Sequence, residues 1–334
     1  MRTLTVGVVL AVVMSAAASA AGPDLKYKAP RTESGQPDLR GVWNYSSAVP
    51  LQRPASIADR KQFTPEESDK RQKALLNALS LVTAFAPIEA IGIDWLDTRV
   101  RVEDLRTSLI SYPESGRVPK LLDGVRRMPN VGDILELLAD NKGPGLPPEL
   151  LALVSAFQGG KRDTYEDFTI GERCIFGPST PIVPGFADNY VQLVQSKDHV
   201  VLLTDATRRI IPIDNRPALG DKLRSWAGDS HGHWEGDTLV VETRNFNARP
   251  NSFNGTGNAH DKVVVERFTR TANDRLSYEA TVTDPKTFND KIALSFPMAK
   301  VDVQTYEWAC HEGNYSLRNS LSAARTEERT AATK

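Results

Sequence analysis

The sequence predicts a mainly β protein, an antiparallel and calycin-like β-barrel that carries helical insertions. Two observations support this fold class. Short segments of alternating character recur from about residue 189 onward, and tight polar turns join them, which is typical of successive hairpins. Two earlier regions instead carry apolar residues at helical spacing. A closed barrel with two insertions accounts for both patterns.

Four hairpins and three single strands are predicted. The turn Gly236-Asp237 is typical of the tight connection between paired strands, and Asn273-Asp274 has the same character. The predicted hairpins cover residues 190–204, 232–243, 263–283 and 292–310, and the single strands cover 41–45, 106–112 and 209–213.

The first helical insertion is expected over about residues 64–97 and the second over about 121–160. Thr64-Pro65-Glu66-Glu67 has the features of a helix start, with threonine as N-cap, proline in the first turn and glutamate at the capping-box position. In the second region, Gly143-Pro144-Gly145 separates two leucine-rich segments. We expect the second insertion to cover the barrel mouth.

The first 20 residues have the pattern of a secretory signal peptide. Arg2 precedes the apolar run 6–14, and Ala18-Ser19-Ala20 forms an A-x-A cleavage site. The remaining residues, 21–334, are expected to form a single domain that works in the periplasm or outside the cell. An uncleaved anchor is the alternative, and no later apolar run is long enough for a membrane span.

Composition narrows the classes of partner. The chain has 41 basic and 42 acidic residues and a net charge of −1, so no basic surplus indicates nucleic acid. No P-loop, G-x-G-x-x-G or G-x-S-x-G motif supports a kinase, dinucleotide or serine hydrolase function. The expected partner is a small molecule, and the oligomeric state stays open.

The two cysteines, Cys174 and Cys310, are expected to form a disulfide, because paired cysteines in an exported chain are usually bridged. Closing so long a loop would stabilise the fold by roughly 4 kcal/mol. Two free thiols are the alternative, since sequence alone does not show that the pair meets.

Three motifs resemble a large family of exported bacterial proteins. They are GDSHGHWEGDTLVVET at 228–243, YEWACHEGNY at 306–315 and GQPDLRGVW at 35–43. The Gly41-Val42-Trp43 triplet is also similar to the lipocalin G-x-W signature. These resemblances imply a barrel fold and export, and they imply no particular reaction.

One candidate site is His231-x-His233-x-Glu235. Alternate residues of a strand share a face, so the three side chains would point the same way and resemble a facial metal triad. His260 or His311 would be a further ligand. The alternative is a hairpin rim in which Glu235 belongs to the turn. No cofactor is expected apart from this metal ion.

A second candidate site is the segment 310–315 beside the expected disulfide. His311 is the natural proton carrier near neutral pH, and Glu312 would orient or assist it. The bridge would bring Arg173 close, where a guanidinium can bind a substrate anion with two hydrogen bonds. The alternative is a strand end whose polar side chains cap backbone groups.

Further side chains are candidates for binding a flat or charged substrate. The polar candidates are Asn189, Asn314, Arg99, Arg101 and Arg106, and the aromatic candidates are Tyr190, Tyr315, Trp43, Trp226, Trp234 and Trp308. Tryptophan also serves as ordinary core, and arginine as a structural ion-pair partner.

Together these features predict an exported enzyme that acts on a small, partly apolar or aromatic molecule in a barrel pocket. The chemistry would be cofactor-free acid/base catalysis by a hydrolase, lyase or isomerase. A lipocalin-like binding protein without catalysis is the first alternative, and a metal-dependent enzyme is the second.

Overall fold

The computed structural model describes residues 27–85, 104–127, 163–168, 173–175, 180–185, 189–204, 207–214, 216–305 and 309–332. Several predicted features lie outside these residues. They are the signal peptide 1–20, the end of the first insertion, most of the second insertion with its expected position over the barrel mouth, and the side chains Arg99, Arg101 and Trp308.

Ten strands form one antiparallel sheet in the described part of the chain. Their order across the sheet is β5-β4-β3-β1-β10-β9-β8-β7-β6, and β2 also pairs with β10. The strands are β1 Gly41–Asn44, β2 Ile110–Tyr112, β3 Tyr190–Gln195, β4 His199–Leu203, β5 Arg208–Pro212, β6 Asp229–Glu235, β7 Thr238–Arg244, β8 Val263–Ala272, β9 Arg275–Thr283 and β10 Ile292–Val301.

The sheet curls until its two outer strands, β5 and β6, lie next to each other. Their side chains meet across this seam. Ile211 and Ile213 pack so closely against Gly232 of β6 that a Cβ atom at this position would clash with them. The result is a nearly closed antiparallel barrel, so the predicted fold class is confirmed.

The barrel interior is packed with side chains. Strands β8, β9 and β10 alternate between buried and more exposed residues, which is the two-residue period that a barrel wall requires. Tyr278 lies 4.9 Å from Phe296 and 5.1 Å from Phe268 between ring centroids, at tilted angles that favour aromatic packing. Trp43 is fully buried and donates its indole N–H to the carbonyl oxygen of Leu39.

A buried ion pair crosses the interior from β5 to β8. Arg209 and Glu266 have side chains only 2% and 0% exposed, and they meet at 2.5 and 3.1 Å. Arg209 also donates to Thr243 Oγ1 at 3.0 Å, and the hydroxyl of Tyr278 donates to Glu266 at 2.8 Å. The carboxylate keeps the pKa of Arg209 above its usual value despite burial, and burial raises the pKa of Tyr278.

One end of the barrel is covered by the segment that precedes β1, residues 27–40. This segment contacts all three hairpin turns at that end, because Tyr27, Arg31 and Gln36 bond in turn to Asn273, Asp237 and Lys197. The inward-facing guanidinium of Arg270 adds a 2.8 Å hydrogen bond to the carbonyl oxygen of Asp38. This segment therefore closes one mouth of the barrel.

The described residues include two α-helices, α1 Pro65–Phe85 and α2 Ser316–Ala332. The predicted capping box is present: Glu67 N donates to Thr64 Oγ1 and Thr64 N donates to Glu67 Oε2. No described helix combines the length and apolar character that a membrane crossing needs.

The predicted hairpin over 292–310 is wrong, because β10 continues as one strand to Val301. This strand passes through Pro297, which has no N–H to donate. In the structure, β2 pairs only as far as Leu294 and β1 begins to pair at Ala299, so no described strand lies beside Pro297 on that edge. Ser295 N points to this edge, where it donates to Leu109 O, and Pro297 has the same orientation. A missing N–H there breaks no ladder hydrogen bond.

The predicted strand over 106–112 is also shorter than expected, since β2 covers only Ile110–Tyr112. Its first residues are held differently. Thr107 N donates to the carbonyl oxygen of Lys61, and the hydroxyl of Ser108 donates to Gly116 O. These contacts replace strand pairing at the start of the segment.

Replacing Glu266 by glutamine should destabilise the protein by about 3–5 kcal/mol, because Arg209 is left as a buried charge without its partner. Urea unfolding gives the free energy of unfolding. The matched control is Asp274→Asn, which removes a surface ion pair with Arg275 and should cost about 1 kcal/mol or less. Equal losses in the two variants would contradict a structural role for the buried pair.

Lys262 should make stability depend on pH. Its amine donates to Thr180 O at 3.1 Å and lies 4.3 Å from the Phe246 ring centroid, and burial lowers its pKa to about 8, against the opposing effect of Asp284. The ordinary value is about 10.4. Below pH ~8 Lys262 is charged in both the folded and the unfolded protein. Between pH ~8 and ~10.4 only the unfolded chain keeps the proton, so the free energy of unfolding rises with pH by up to about 3 kcal/mol.

The measurement is the difference in unfolding free energy between wild type and Lys262→Met, taken from about pH 7.5 to about 10.5. The unfolding free energy of wild type should rise by about 3 kcal/mol relative to that of the variant over this interval. A difference that stays constant would show that Lys262 does not titrate in this range in the folded state.

Candidate functional site

Cys174 and Cys310 form a disulfide, with an S–S distance of 2.06 Å and a sequence separation of 136 residues. The predicted bridge is therefore confirmed. It fixes residues 173–175 against the segment that leads from β10 into α2. Asn314 adds a contact, since its Nδ2 lies 3.1 Å from Cys174 Sγ.

A cleft of about 400 Å³ lies beside the disulfide, outside the barrel. Its lining combines a histidine, an amide and two guanidinium groups with an aromatic ring and two aliphatic side chains. The lining residues are Tyr165, Arg173, Ile175, His311, Asn314, Leu317 and Arg318. A cleft of this size and mixture is typical of a site for a small molecule.

Two local structures and one side-chain contact position this lining. A 3-10 turn, Tyr165–Asp167, presents Tyr165, and a capping box formed by Thr164 with Asp167 holds it in place. Arg173 lies over the Tyr165 ring, with the guanidinium carbon 5.1 Å from the ring centroid. The first turn of α2 supplies Leu317 and Arg318.

The structure brings together part of the acid/base set predicted from the sequence. His311, Arg173 and Asn314 all line the cleft. Glu312 and Tyr315 follow His311 in the chain but are not among the lining residues, and Tyr315 is 67% exposed. His311 therefore has a guanidinium and an amide as neighbours in the cleft instead of the carboxylate of Glu312.

Other predicted binding residues lie elsewhere and have structural partners. Asn189 is buried and bonds through both side-chain atoms to the backbone of Gly185, and its carbonyl accepts from Tyr45 N. Tyr190 is the first residue of β3. Arg106 is paired with Asp104 at 2.5 Å and also donates to Ser295. These residues hold the barrel wall together and are not part of the cleft.

The tryptophans described here are not among the cleft-lining residues either. Trp43 belongs to the barrel core. Trp234 packs partly buried against that core, and its indole nitrogen is buried without a hydrogen-bond partner. Trp226 is half-buried in the segment before β6.

The candidate metal residues divide into separate pairs on the outside of the barrel. His231 bonds to Asp229 at 3.0 Å and His233 to Glu235 at 3.2 Å. Arg267 also binds Glu235, and together Arg267 and His233 lower the pKa of that carboxyl. The suggested further ligand His260 pairs with Asp261, and His311 lines the cleft.

No group of three or more His, Cys, Asp or Glu side chains in the described ranges is arranged to hold a metal ion. The three residues do lie on one strand, β6, as expected. Each histidine bonds to a carboxylate of its own strand.

Sequence reasoning missed four lining residues, Tyr165, Ile175, Leu317 and Arg318. Ile175 follows Cys174, so the expected bridge could have placed it near His311. Leu317 and Arg318 follow the 310–315 segment by two and three residues. Tyr165 gives no sequence signal, because only the folded chain brings it to this surface.

Replacing both Cys174 and Cys310 by alanine should lower the free energy of unfolding by about 4 kcal/mol, because the open chain gains conformational freedom when unfolded. Urea unfolding with and without a reducing agent measures this loss. Reduced wild type should match the double variant, and the variant itself should not respond to the reducing agent. Wild type that is equally stable in both conditions would contradict a stabilising role for the bridge.

No protein-family model, curated protein or solved structure matches the chain. The motif resemblance to exported bacterial proteins and to lipocalins therefore stays a prediction. The functional argument depends on the geometry of the cleft.

Proposed function

We propose that this protein binds a small, partly apolar molecule in the cleft beside the Cys174–Cys310 disulfide. The single observation that carries the proposal is the lining itself, in which His311, Arg173 and Asn314 face the same 400 Å³ space as Tyr165 and Leu317. Polar groups that fix orientation, set among apolar groups that supply contact area, are the usual composition of a small-molecule site.

The packed barrel interior supports an outside location for the ligand. Large side chains fill the space where a lipocalin-like protein would hold its ligand, among them Tyr278, Phe268 and Phe296. A ligand held there would have to displace the aromatic cluster and separate the Arg209–Glu266 pair. The cleft needs neither change.

The disulfide supports a working place outside the cytoplasm. Disulfides persist in oxidising compartments such as the periplasm and the cell exterior. Together with the signal peptide expected over residues 1–20, the bridge supports export of the mature chain.

The second candidate function is catalysis in the same cleft. His311 lines it, and an imidazole can accept or donate a proton near neutral pH. Under this hypothesis Arg173 and Asn314 would orient the substrate, and Glu312 would act from outside the lining. The reaction would be a cofactor-free proton transfer that leads to hydrolysis, elimination or isomerisation.

Replacing Ile175 by aspartate should weaken binding at least about tenfold, since the variant puts a charge on the apolar side of the cleft. A panel of small aromatic compounds, screened by ligand-observed NMR, provides the probe. The matched control is Ile210→Asp on the outer face of β5, where the side chain is 68% exposed and does not line the cleft. Loss of binding in both variants, or in neither, would count against the cleft.

His311→Gln separates the two candidate functions. It keeps a hydrogen-bonding side chain but removes the titrating ring. If the protein is an enzyme, the variant should retain the melting temperature and much of the affinity of wild type but lose at least about 100-fold in turnover. A binding protein should show no turnover in wild type and a change in affinity alone.

A further inference from the structure

We propose that the ligand of the cleft is an anion with a flat apolar body, such as an aromatic carboxylate. This inference rests on the proposed binding function and names the class of molecule bound. The observations that carry it are the charges of the lining residues, the ion pairs of the surrounding residues and the position of the Tyr165 ring.

The described lining residues carry positive charge and no negative charge. Arg173, His311 and Arg318 all line the cleft, and none of the seven described lining residues is aspartate or glutamate. Within the described ranges, neither Arg173 nor Arg318 takes part in an ion pair. Two guanidinium groups on one small cleft repel each other unless an anion lies between them.

Among the described residues, two other arginines in this region are paired with carboxylates, unlike Arg173 and Arg318. Arg325, further along α2, binds Asp163 at 3.0 Å, and Arg249 binds Glu166 at 3.7 Å. Asp163 precedes the turn that carries Tyr165, and Glu166 belongs to it. These two carboxylates are thus already paired with other arginines, and the two arginines of the cleft keep their hydrogen-bond donors for a ligand.

The shape of these groups favours an oxyanion attached to a ring. The guanidinium of Arg173 is planar and lies over the Tyr165 ring, which holds it while its N–H edge stays available for two parallel hydrogen bonds to a carboxylate or phosphate. On the apolar side, Tyr165 is 55% and Ile175 39% exposed, so both gain from contact with a flat ring.

The test uses full-length protein and isothermal titration with four probes. These are 2-naphthoate, its uncharged analogue 2-naphthamide, phenyl phosphate and inorganic phosphate. Naphthoate should bind at least about tenfold more tightly than naphthamide, and its affinity should fall as salt is added. Tighter binding of phenyl phosphate would assign the head group to phosphate instead of carboxylate, and inorganic phosphate alone tests whether the ring contributes.

Arg173→Gln and Arg318→Gln should each weaken naphthoate binding by about 10- to 100-fold while leaving the weak binding of naphthamide unchanged. The matched control is Arg275→Gln, which removes the same charge at a hairpin turn that does not line the cleft. Equal affinity for naphthoate and naphthamide, or an equal effect of all three variants, would overturn the anion assignment while the proposed binding function survives. Failure of every aromatic probe to bind folded protein would overturn both.

Discussion

The closure of the barrel depends on the buried Arg209–Glu266 ion pair. Strands β5 and β6 end the sheet without pairing to each other, so side chains must join the seam. Arg209 reaches from β5 to Ser230 on β6, Thr243 on β7 and Glu266 on β8, which links both sides of the seam through one guanidinium. Such a pair stabilises only when its geometry is complete, because each charge alone is costly in the interior.

This mode of closure restricts where the protein can act. The ion pair and the aromatic cluster around Tyr278 fill the middle of the barrel, and the segment 27–40 covers one of its ends. A filled barrel is better suited to support surface structures than to hold a ligand inside. Function then falls to the surface structures that the scaffold holds in place, which is a common division in β proteins.

The disulfide performs that positioning for the cleft. It joins two segments 136 residues apart, and each segment contributes lining residues next to its cysteine, Arg173 and Ile175 on one side and His311 on the other. The charge arrangement follows from the same contact. Asp163 and Glu166 are already paired with Arg325 and Arg249, so Arg173 and Arg318 remain for a ligand.

The sequence alone predicts the fold class, most hairpins and the capped start of α1, because each follows from local periodicity or turn chemistry, and its two cysteines allow a single disulfide. It also singled out His311, Arg173 and Asn314. Only the tertiary structure decided that β10 passes through Pro297, that His231 and His233 satisfy their own carboxylate neighbours, and that Tyr165 and Arg318 complete the cleft. These outcomes depend on contacts between residues far apart in the chain, and local sequence patterns carry no information about which distant side chains meet.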